Sequence, residues 1–400
     1  MVRLSERATN MPASPIRKLV PFAQAAKKSG VKVYHLNIGQ PDIKTPELFF
    51  EKIKSFDAPV LEYALSQGNI ELINSFREYY KKWGIDFNED EIIITNGGSE
   101  ALIMAYSIIG DFGDEVLVPE PFYANYNGFA VQAGMKVKPI TTKAENGFHL
   151  PAMEEIEKQI TSKTRAIAIS NPGNPTGAIY TREELVMLGE IAKKHNIFLI
   201  GDEVYREFVY DNLKFTSLMQ IPGIEDRVII IDSISKRYSA CGARIGCICS
   251  KNKELMSAVM KMAQARLCVP TLEMVGASAL VHTTKEYFEE VHHEYQKRRD
   301  IVFNALREIP DVVCERPAGA FYVMAKLPID DCDEFAKWML TDFKLNNETT
   351  MVAPGAGFYA TPGLGKQEVR IAYVLNETDL ARAMEILAAG IKEYRKIKGI

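Results

Sequence analysis

The stretch from Arg165 to Asp202 reads RAIAISNPGNPTGAIYTREELVMLGEIAKKHNIFLIGD. Two apolar runs, RAIAIS and IFLI, lie on either side of a helical pattern that opens at Thr181 with TREE, which is close to a capping box. Apolar runs without polar alternation are typical of strands that are buried on both faces. The stretch therefore predicts a strand–helix–strand unit with parallel strands, which is the building block of an α/β fold.

Similar apolar, β-branched runs occur on both sides of this stretch. Seven strands are predicted in all: Glu91–Thr95, Glu115–Val118, Lys136–Ile140, Arg165–Ser170, Ile197–Ile200, Arg227–Ile231 and Gly246–Ser250. Helical patterns lie between several of them, including Ser99–Ile109 and Thr181–Lys194. We therefore predict an α/β fold in which helices sandwich a mostly parallel seven-stranded sheet.

The C-terminal part of the chain shows a different pattern of predicted helices and strands. A long charged helix is predicted over Glu286–Leu306, short strands near Gly319–Lys326 and Val369–Val374, and a final helix near Asn376–Lys396. A chain of 400 residues exceeds the usual size of a single core. We expect a large domain over 46–285, a smaller α+β domain over 286–400, and an N-terminal arm over 1–45 that packs on the small domain or on another subunit.

The composition excludes several classes of protein. The net charge of −4 lacks the basic character of a nucleic-acid binder, and no apolar run approaches the length needed to cross a membrane. The first residues contain no apolar signal-peptide segment. The six cysteines form no CxxC pair and match no zinc pattern, so we expect a cytoplasmic protein without a metal site.

Polar loops follow several of the predicted strands, where ligands bind in open α/β sheets. They are NGGSE at 96–100, NPGNPTG at 171–177, GDEVY at 201–205, and DSISK at 232–236 with GAR at 242–244. Glycines before a helix suit a phosphate, although a plain capped turn is an equally good interpretation. Asp202 could cap a helix, bind a metal or pair with a protonated ring nitrogen. Lys236 taken alone is most simply a solvated surface lysine.

The four loops together favour a more specific interpretation. They offer a phosphate cradle, a carboxylate, planar hydrogen-bonding groups and a lysine that partial desolvation would make nucleophilic. Pyridoxal 5′-phosphate (PLP) needs a lysine to carry it and an acidic partner for its pyridine nitrogen. The loops therefore predict a PLP site at one edge of the sheet.

The chain resembles the fold-type I PLP enzymes, and among them the class I/II aminotransferases related to aspartate aminotransferase. The resemblance extends from about Ser14 to the end of the chain. It rests on NPGNPTG, Asp202-x-x-Tyr205, Ser233-Ile-Ser-Lys236, Arg244-Ile-Gly, Gly39-Gln-Pro-Asp, Pro354-Gly-x-x-Phe358 and Val369-Arg370-Ile.

The resemblance implies a role for each matching residue around the cofactor. Lys236 would carry PLP as a Schiff base, Asp202 would keep the pyridine nitrogen protonated, and Asn174 and Tyr205 would bind the ring hydroxyl. Tyr123 would stack on the ring. The phosphate would be held by Gly98, Ser99, Glu100, Ser233, Ser235 and Arg244.

The resemblance also implies how the substrate and a second subunit are bound. Arg370 would hold the substrate α-carboxylate in a bidentate pair, assisted by Gly39 and Asn174. Tyr63 would reach the phosphate in the neighbouring subunit, which implies a homodimer with shared active sites.

The implied activity is transfer of an amino group from an α-amino acid to a 2-oxo acid such as 2-oxoglutarate, with ping-pong kinetics and Lys236 as the proton carrier. A C–S β-lyase, decarboxylase or synthase of the same fold is the alternative. A transcription regulator with this domain would need a DNA-binding segment, which the first 45 residues do not resemble. Ser99, Cys241 and Ala243 depart from the pattern of some aspartate aminotransferases, so the donor stays open among aspartate, alanine, aromatic and branched-chain amino acids.

Overall fold

The computed structural model describes residues 2–400, and its first elements precede the central sheet. They are helices α1 (Glu6–Asn10) and α2 (Val20–Lys28), strand β1 (Lys32–His35), and helices α3 (Glu47–Lys54) and α4 (Ile70–Lys82). Helix α4 begins after Asn69, whose side chain accepts hydrogen bonds from the backbone N–H groups of Glu71 and Leu72. Helix α1 packs near the helix Asn125–Ala133. Helix α2 packs on the helix Cys332–Thr341, and β1 lies against the strand Glu348–Met351.

The central sheet contains seven strands, as predicted. They are β2 (Ile92–Asn96), β3 (Glu115–Glu120), β4 (Lys136–Thr141), β5 (Thr164–Ser170), β6 (Phe198–Asp202), β7 (Val228–Ser233) and β8 (Ile245–Cys249), in the spatial order β2-β8-β7-β6-β5-β3-β4. Only β8 runs against its neighbours β2 and β7. The mostly parallel sheet of the α/β prediction is therefore confirmed.

Helices cover both faces of this sheet. They are α5 (Gly97–Ile109), α6 (Asn125–Ala133), α7 (Met153–Glu157), α8 (Arg182–His195), α9 (Ile234–Arg237), α10 (Lys253–Arg266) and α11 (Thr271–Ser278). Consecutive residues of β7 show the two sides, because Ile230 packs in the core with α4, α8 and α11 while Ile231 packs in the core with α5, α6 and α10.

Two local predictions about these helices can be compared with the structure. The capping box at Thr181 is present, since Thr181 Oγ1 accepts from Glu184 N at 3.2 Å and Glu184 Oε2 accepts from Thr181 N at 2.7 Å. The helix predicted over Ser99–Ile109 corresponds to α5. Its predicted start is wrong by two residues, because α5 begins at Gly97. Gly97 has φ +73°, which turns strand directly into helix without an intervening loop.

The C-terminal elements form most of a third core, which also contains residues of α2 and β1 and three aromatic residues between 205 and 210. The C-terminal elements are α12 (Lys285–Arg307), β9 (Tyr322–Lys326), α13 (Cys332–Thr341), β10 (Glu348–Met351), β11 (Ala353–Pro354), β12 (Glu368–Ala372) and α14 (Glu377–Lys398). Strands β11, β12 and β9 form an antiparallel sheet, and β1 pairs in parallel with β10. The predicted domain boundaries near residues 45 and 285 stay predictions.

No helix within residues 2–400 combines the length and the apolar character that a membrane crossing requires.

Candidate active site

A cavity of about 190 Å³ lies at the carboxyl ends of β5, β6 and β7, beside the start of α5. Ten of the residues that the sequence singled out line it: Gly98, Ser99, Tyr123, Asn174, Asp202, Tyr205, Ser233, Ser235, Lys236 and Arg244. Four further residues complete the wall: Leu102, Ser170, Val204 and Cys241. The parallel strands thus bring loops together that are far apart in the sequence.

Lys236 lies in the short helix α9, immediately after β7. Ser233 caps this helix, because its side chain accepts from Ser235 N at 3.1 Å. The Lys236 amine donates to the carbonyl oxygen of Gly39 at 3.0 Å and lies 4.0 Å from Cys241 Sγ. No carboxylate within residues 2–400 forms a salt bridge with Lys236, and the residue lines the cavity.

Asp202 ends strand β6 and is only 6% exposed. Its Oδ2 accepts from the Tyr126 hydroxyl at 2.8 Å, but its Oδ1 is buried and finds no hydrogen-bond partner in the described part of the chain. Burial raises the pKa of this carboxyl to about 6. A buried acceptor without a donor is costly, so the site fits a ligand that brings a cationic N–H, as a protonated pyridine does.

A second group of residues that line the cavity fits a phosphate. Gly98 and Ser99 belong to the first turn of α5, so the unpaired N–H groups and the positive end of the helix dipole lie at the cavity. Hydroxyl groups are supplied by Ser233 and Ser235, whose Oγ atoms are 2.7 Å apart. Arg244 adds a cation and has φ +54°. These donors match the chemistry of a phosphate ester.

Glu100 is the one predicted phosphate residue whose side chain lies elsewhere. Its carboxylate accepts from Asn96 N at 2.7 Å and is 3.7 Å from Arg266 Nε. Glu100 therefore stabilises the start of α5 with its side chain, and only its backbone N–H could serve the phosphate.

Arg370 is a buried cation, 2% exposed, beside Asn174. Its Nη1 donates to Asn174 Oδ1 at 3.0 Å and its Nη2 to the carbonyl oxygen of Asn37 at 2.6 Å. Its guanidinium carbon lies 4.6 Å from the ring centre of Tyr322 and 4.9 Å from that of Phe358. Burial lowers the pKa of Arg370, and no carboxylate in residues 2–400 forms a salt bridge with it. A buried, unpaired guanidinium suits an incoming carboxylate.

Tyr205 and Gly39 both contact Tyr322, whose ring also packs on Arg370. The Tyr205 hydroxyl is 2.9 Å from that of Tyr322. Gly39 packs so closely against the Tyr322 ring that any side chain at position 39 would collide with it. Tyr322 thus connects the residues that the sequence assigned to the cofactor with those assigned to the substrate.

Tyr123 and Tyr63 differ in their surroundings. Tyr123 lines the cavity and its hydroxyl accepts from Asn125 Nδ2 at 2.7 Å. Tyr63 is 81% exposed and lies away from this cavity, next to exposed Val60 and Leu61.

Glu120 attaches the segment 355–361 to the large sheet. Glu120 is fully buried, and its carboxylate accepts from the backbone N–H groups of Ala360 and Thr361 at 2.9 and 3.0 Å. The Thr361 hydroxyl adds a third bond at 2.6 Å. Since Phe358 belongs to the same segment, Glu120 helps to hold the ring that packs on Arg370.

Several residues of the site carried no signal in the sequence. Tyr126, Tyr322 and the Asn37 carbonyl come from segments without a distinctive motif, and each contributes only through a tertiary contact. Phe358 belongs to the PGxxF motif, but the motif alone does not indicate that its ring packs on Arg370.

Comparison with known proteins places the chain in one enzyme family. The model of the family described as "Aminotransferase class I and II" matches residues 31–387. The chain is 30% identical to aspartate aminotransferase of Bacillus subtilis, with 98% of this chain and 100% of that protein covered. It is 31% identical to aromatic-amino-acid aminotransferase 2 of Thermococcus litoralis, with the same coverage. The solved structure of alanine aminotransferase from Pyrococcus furiosus superposes with a TM-score of 0.89 at 31% identity, covering 98% of this chain and 100% of that one.

Proposed function

Because this chain belongs to the class I and II aminotransferases, which transfer amino groups with PLP, we propose that Lys236, Asp202 and Arg370 carry the reaction. The observation that carries the proposal is their placement: a lysine amine without a carboxylate partner and a buried carboxyl with one unpartnered oxygen line one cavity, and a buried guanidinium without a carboxylate partner lies beside it, next to Asn174. Bound PLP supplies the electron sink that makes the Cα–H bond of an amino acid acidic.

Cofactor binding is assigned to two groups of residues. Asp202 would hold the pyridine nitrogen through its free Oδ1, and Tyr123 would pack against the ring. Asn174 and Tyr205 would bind the ring hydroxyl. The phosphate would be held by Gly98, Ser99, the Glu100 backbone, Ser233, Ser235 and Arg244. The unpartnered oxygen of Asp202 and the donors proposed for the phosphate support these roles.

Arg370 would orient the substrate. Its guanidinium is held by Asn174 and by the Asn37 carbonyl, and it packs on Tyr322. These contacts leave Nε without a partner among the described residues. A carboxylate arriving here gains a charge-assisted bond and neutralises a buried cation, which fixes the amino acid with one orientation of its Cα.

Lys236 would move the proton. Its amine donates to the Gly39 carbonyl, a neutral acceptor, at 3.0 Å. When the amino acid is bound, Lys236 would take the Cα proton and return it to the cofactor. Because Gly39 also packs against Tyr322, whose ring lies 4.6 Å from the Arg370 guanidinium, Gly39 and Tyr322 connect the proposed proton carrier with the proposed substrate-binding residue.

We further propose a cytoplasmic homodimer with shared active sites. The exposed residues Val60, Leu61 and Tyr63 form an apolar surface that supports a subunit contact. In the dimer, Tyr63 would contribute to the partner's phosphate site. Six free cysteines support a reducing compartment. The proposed domain boundaries near residues 45 and 285 are supported by a hydrophobic core that consists mainly of C-terminal residues and residues 19–36, with Tyr205, Phe208 and Tyr210 as its contribution from the large domain.

The most detailed part of the proposal is the identity of the amino donor and of the 2-oxo acid acceptor. The relatives are named for aspartate, aromatic amino acids and alanine, so their names do not select one donor. The proposed acceptor is a 2-oxo acid, with 2-oxoglutarate as the first to be tested.

A half-reaction screen tests this proposal. Purified holoenzyme is mixed with each common amino acid, and the absorbance of the bound cofactor is followed together with the release of 2-oxo acid. Conversion to the amine form of the cofactor by at least one donor, reversed by 2-oxoglutarate, is expected. Release of ammonia, carbon dioxide or a thiol without that conversion would instead identify a lyase or decarboxylase of the same fold.

A further inference from the structure

Four residues that line the cavity each have a charged neighbour in the sequence whose side chain is buried outside the cavity. These pairs are Asp202 with Glu203, Tyr205 with Arg206, Ser233 with Asp232, and Lys236 with Arg237. None of the four charged neighbours is more than 3% exposed. We call Glu203, Arg206, Asp232 and Arg237 the buried ionic network.

Asp232 lies at the centre of the network. Its Oδ1 accepts from Arg237 Nη1 at 2.6 Å, and its Oδ2 lies 3.4 Å from Arg206 Nη1. Arg206 Nη2 in turn donates to Glu203 Oε2 at 2.7 Å. Two carboxylates and two guanidinium groups therefore form one continuous set of ion pairs without net charge.

Two tyrosines of α4 cover the network. The Tyr80 hydroxyl donates to Asp232 Oδ2 at 3.1 Å, and the Arg206 guanidinium lies 4.8 Å from the Tyr80 ring centre. The Arg237 guanidinium lies 4.1 Å from the Tyr79 ring centre. Because aromatic rings replace water here, each charge depends on its partners within the network.

The network also binds the backbone that carries the site. Asp232 Oδ1 accepts from Ser233 N at 2.7 Å, and Arg237 Nη1 donates to the Ser233 carbonyl at 3.2 Å. Lys236 and Arg237 are consecutive in the one-turn helix α9, so the position of Arg237 restricts that of Lys236. Glu203 follows Asp202 directly and accepts from the Ser217 hydroxyl at 2.8 Å.

Stability alone is a poor reason to bury four charges. Ion pairs of this kind often contribute less than well-packed apolar residues would, because desolvation offsets their attraction. Fixed geometry is the better explanation, since cofactor sites require their groups within about half an ångström of the productive placement.

We propose that the buried ionic network fixes the end of β6 relative to the end of β7, and thereby places Asp202 and Lys236 for cofactor binding. The four members are positioning residues, and the proposal rests on the proposed roles of Asp202 and Lys236. The network acts from behind the cavity and touches neither the cofactor nor the substrate.

The test compares Arg237→Met with the charge-balanced double variant Arg237→Met/Asp232→Asn. Arg299→Met is the matched control, because Arg299 is equally buried and pairs with Asp211 at 2.6 Å outside the site. Three quantities are measured: the melting temperature, the Kd for PLP added to apoprotein, and the pH midpoint of the absorption change of bound PLP.

We expect Arg237→Met to raise the Kd for PLP about tenfold and to shift the pH midpoint. The double variant should regain melting temperature but not affinity, which keeps the test informative if the single variant folds poorly. Arg299→Met should lower the melting temperature with nearly unchanged Kd and midpoint. Wild-type affinity and midpoint in the double variant, or equal loss of affinity in Arg299→Met, would overturn the proposal.

The same measurements separate this proposal from the proposed function. If wild-type protein gains no cofactor absorption band that depends on Lys236, the proposed function fails. If that band is normal and the network variants leave it unchanged, only the positioning role fails.

Discussion

If the Asp202 carboxyl serves the bound cofactor, its burial lowers the stability of the apoprotein, and Asp202→Asn should reveal this. In the structure Asp202 is 6% exposed, and burial raises its pKa from 3.8 to about 6. Asparagine has nearly the same shape, carries no charge and keeps an oxygen to accept from Tyr126. We therefore expect the variant apoprotein to be more stable than wild-type apoprotein at pH 8.

The size of the effect follows from the pKa. A rise from 3.8 to about 6 corresponds to a penalty of about 3 kcal/mol for the ionised folded state. The folded carboxyl holds its proton to higher pH than the unfolded one, so wild-type stability falls as pH rises between these values and the penalty is complete above pH 6. The new amide N–H₂ replaces Oδ1 and lacks an acceptor, which costs about 1 kcal/mol. The expected net gain at pH 8 is about 2 kcal/mol, shrinking to well under 1 kcal/mol at pH 5.

Urea denaturation of both apoproteins at pH 5 and pH 8 measures this difference. Added PLP should reverse the order at pH 8, because a neutral amide does not balance a protonated ring nitrogen and the variant then gains less from the cofactor. A variant apoprotein that is less stable than wild type at pH 8, or an advantage that does not shrink towards pH 5, would refute the reasoning.

Three further substitutions test other parts of the site. Lys236→Ala should lower the rate of the half-reaction by about 10³-fold or more in stopped-flow absorbance, with added methylamine restoring part of it; full activity in the variant would remove Lys236 from proton transfer. Arg370→Lys keeps the charge but loses the planar fork, so the donor KM should rise about 10- to 100-fold in initial-rate assays, and an unchanged KM would show that the carboxylate binds elsewhere. Glu120→Gln weakens the attachment of the segment that carries Phe358, so we expect a lower melting temperature and a donor KM raised about tenfold, whereas an effect on kcat alone would contradict this assignment.

The sheet could be predicted from the sequence because its signal is local. The central residues of RAIAIS and the run IFLI are apolar, as strands buried on both faces must be, and they lie in or next to β5 and β6. Asp202 and Asn174 could be placed near each other for the same reason, since parallel strands deliver the residues after them to one edge. The start of α5 was less predictable, because only the positive φ of Gly97 joins strand and helix without a loop.

The rest of the site depends on contacts that no local pattern encodes. Tyr126 lies 76 residues before Asp202, and its hydroxyl bonds to that carboxyl only after α6 packs on the sheet. Tyr322 meets Tyr205 across 117 residues. Glu100 shows the converse: its position matches a phosphate residue, yet its side chain is held by Asn96 at the helix start. Sequence patterns and the family resemblance therefore identified which loops meet and most of the residues that line the cavity, but not the tertiary contacts that hold those residues in place.

Arg370 lies late in the chain, so it is translated after the residues that it contacts. Arg370 binds Asn174, 196 residues earlier, and the Asn37 carbonyl, 333 residues earlier. A growing chain that has passed Arg244 already contains the groups assigned to the phosphate and the pyridine ring, whereas the guanidinium assigned to the substrate is still to be translated. The residues proposed to hold the cofactor are thus translated well before the arginine proposed to bind the amino acid. A product that terminates before residue 370 would lack that arginine.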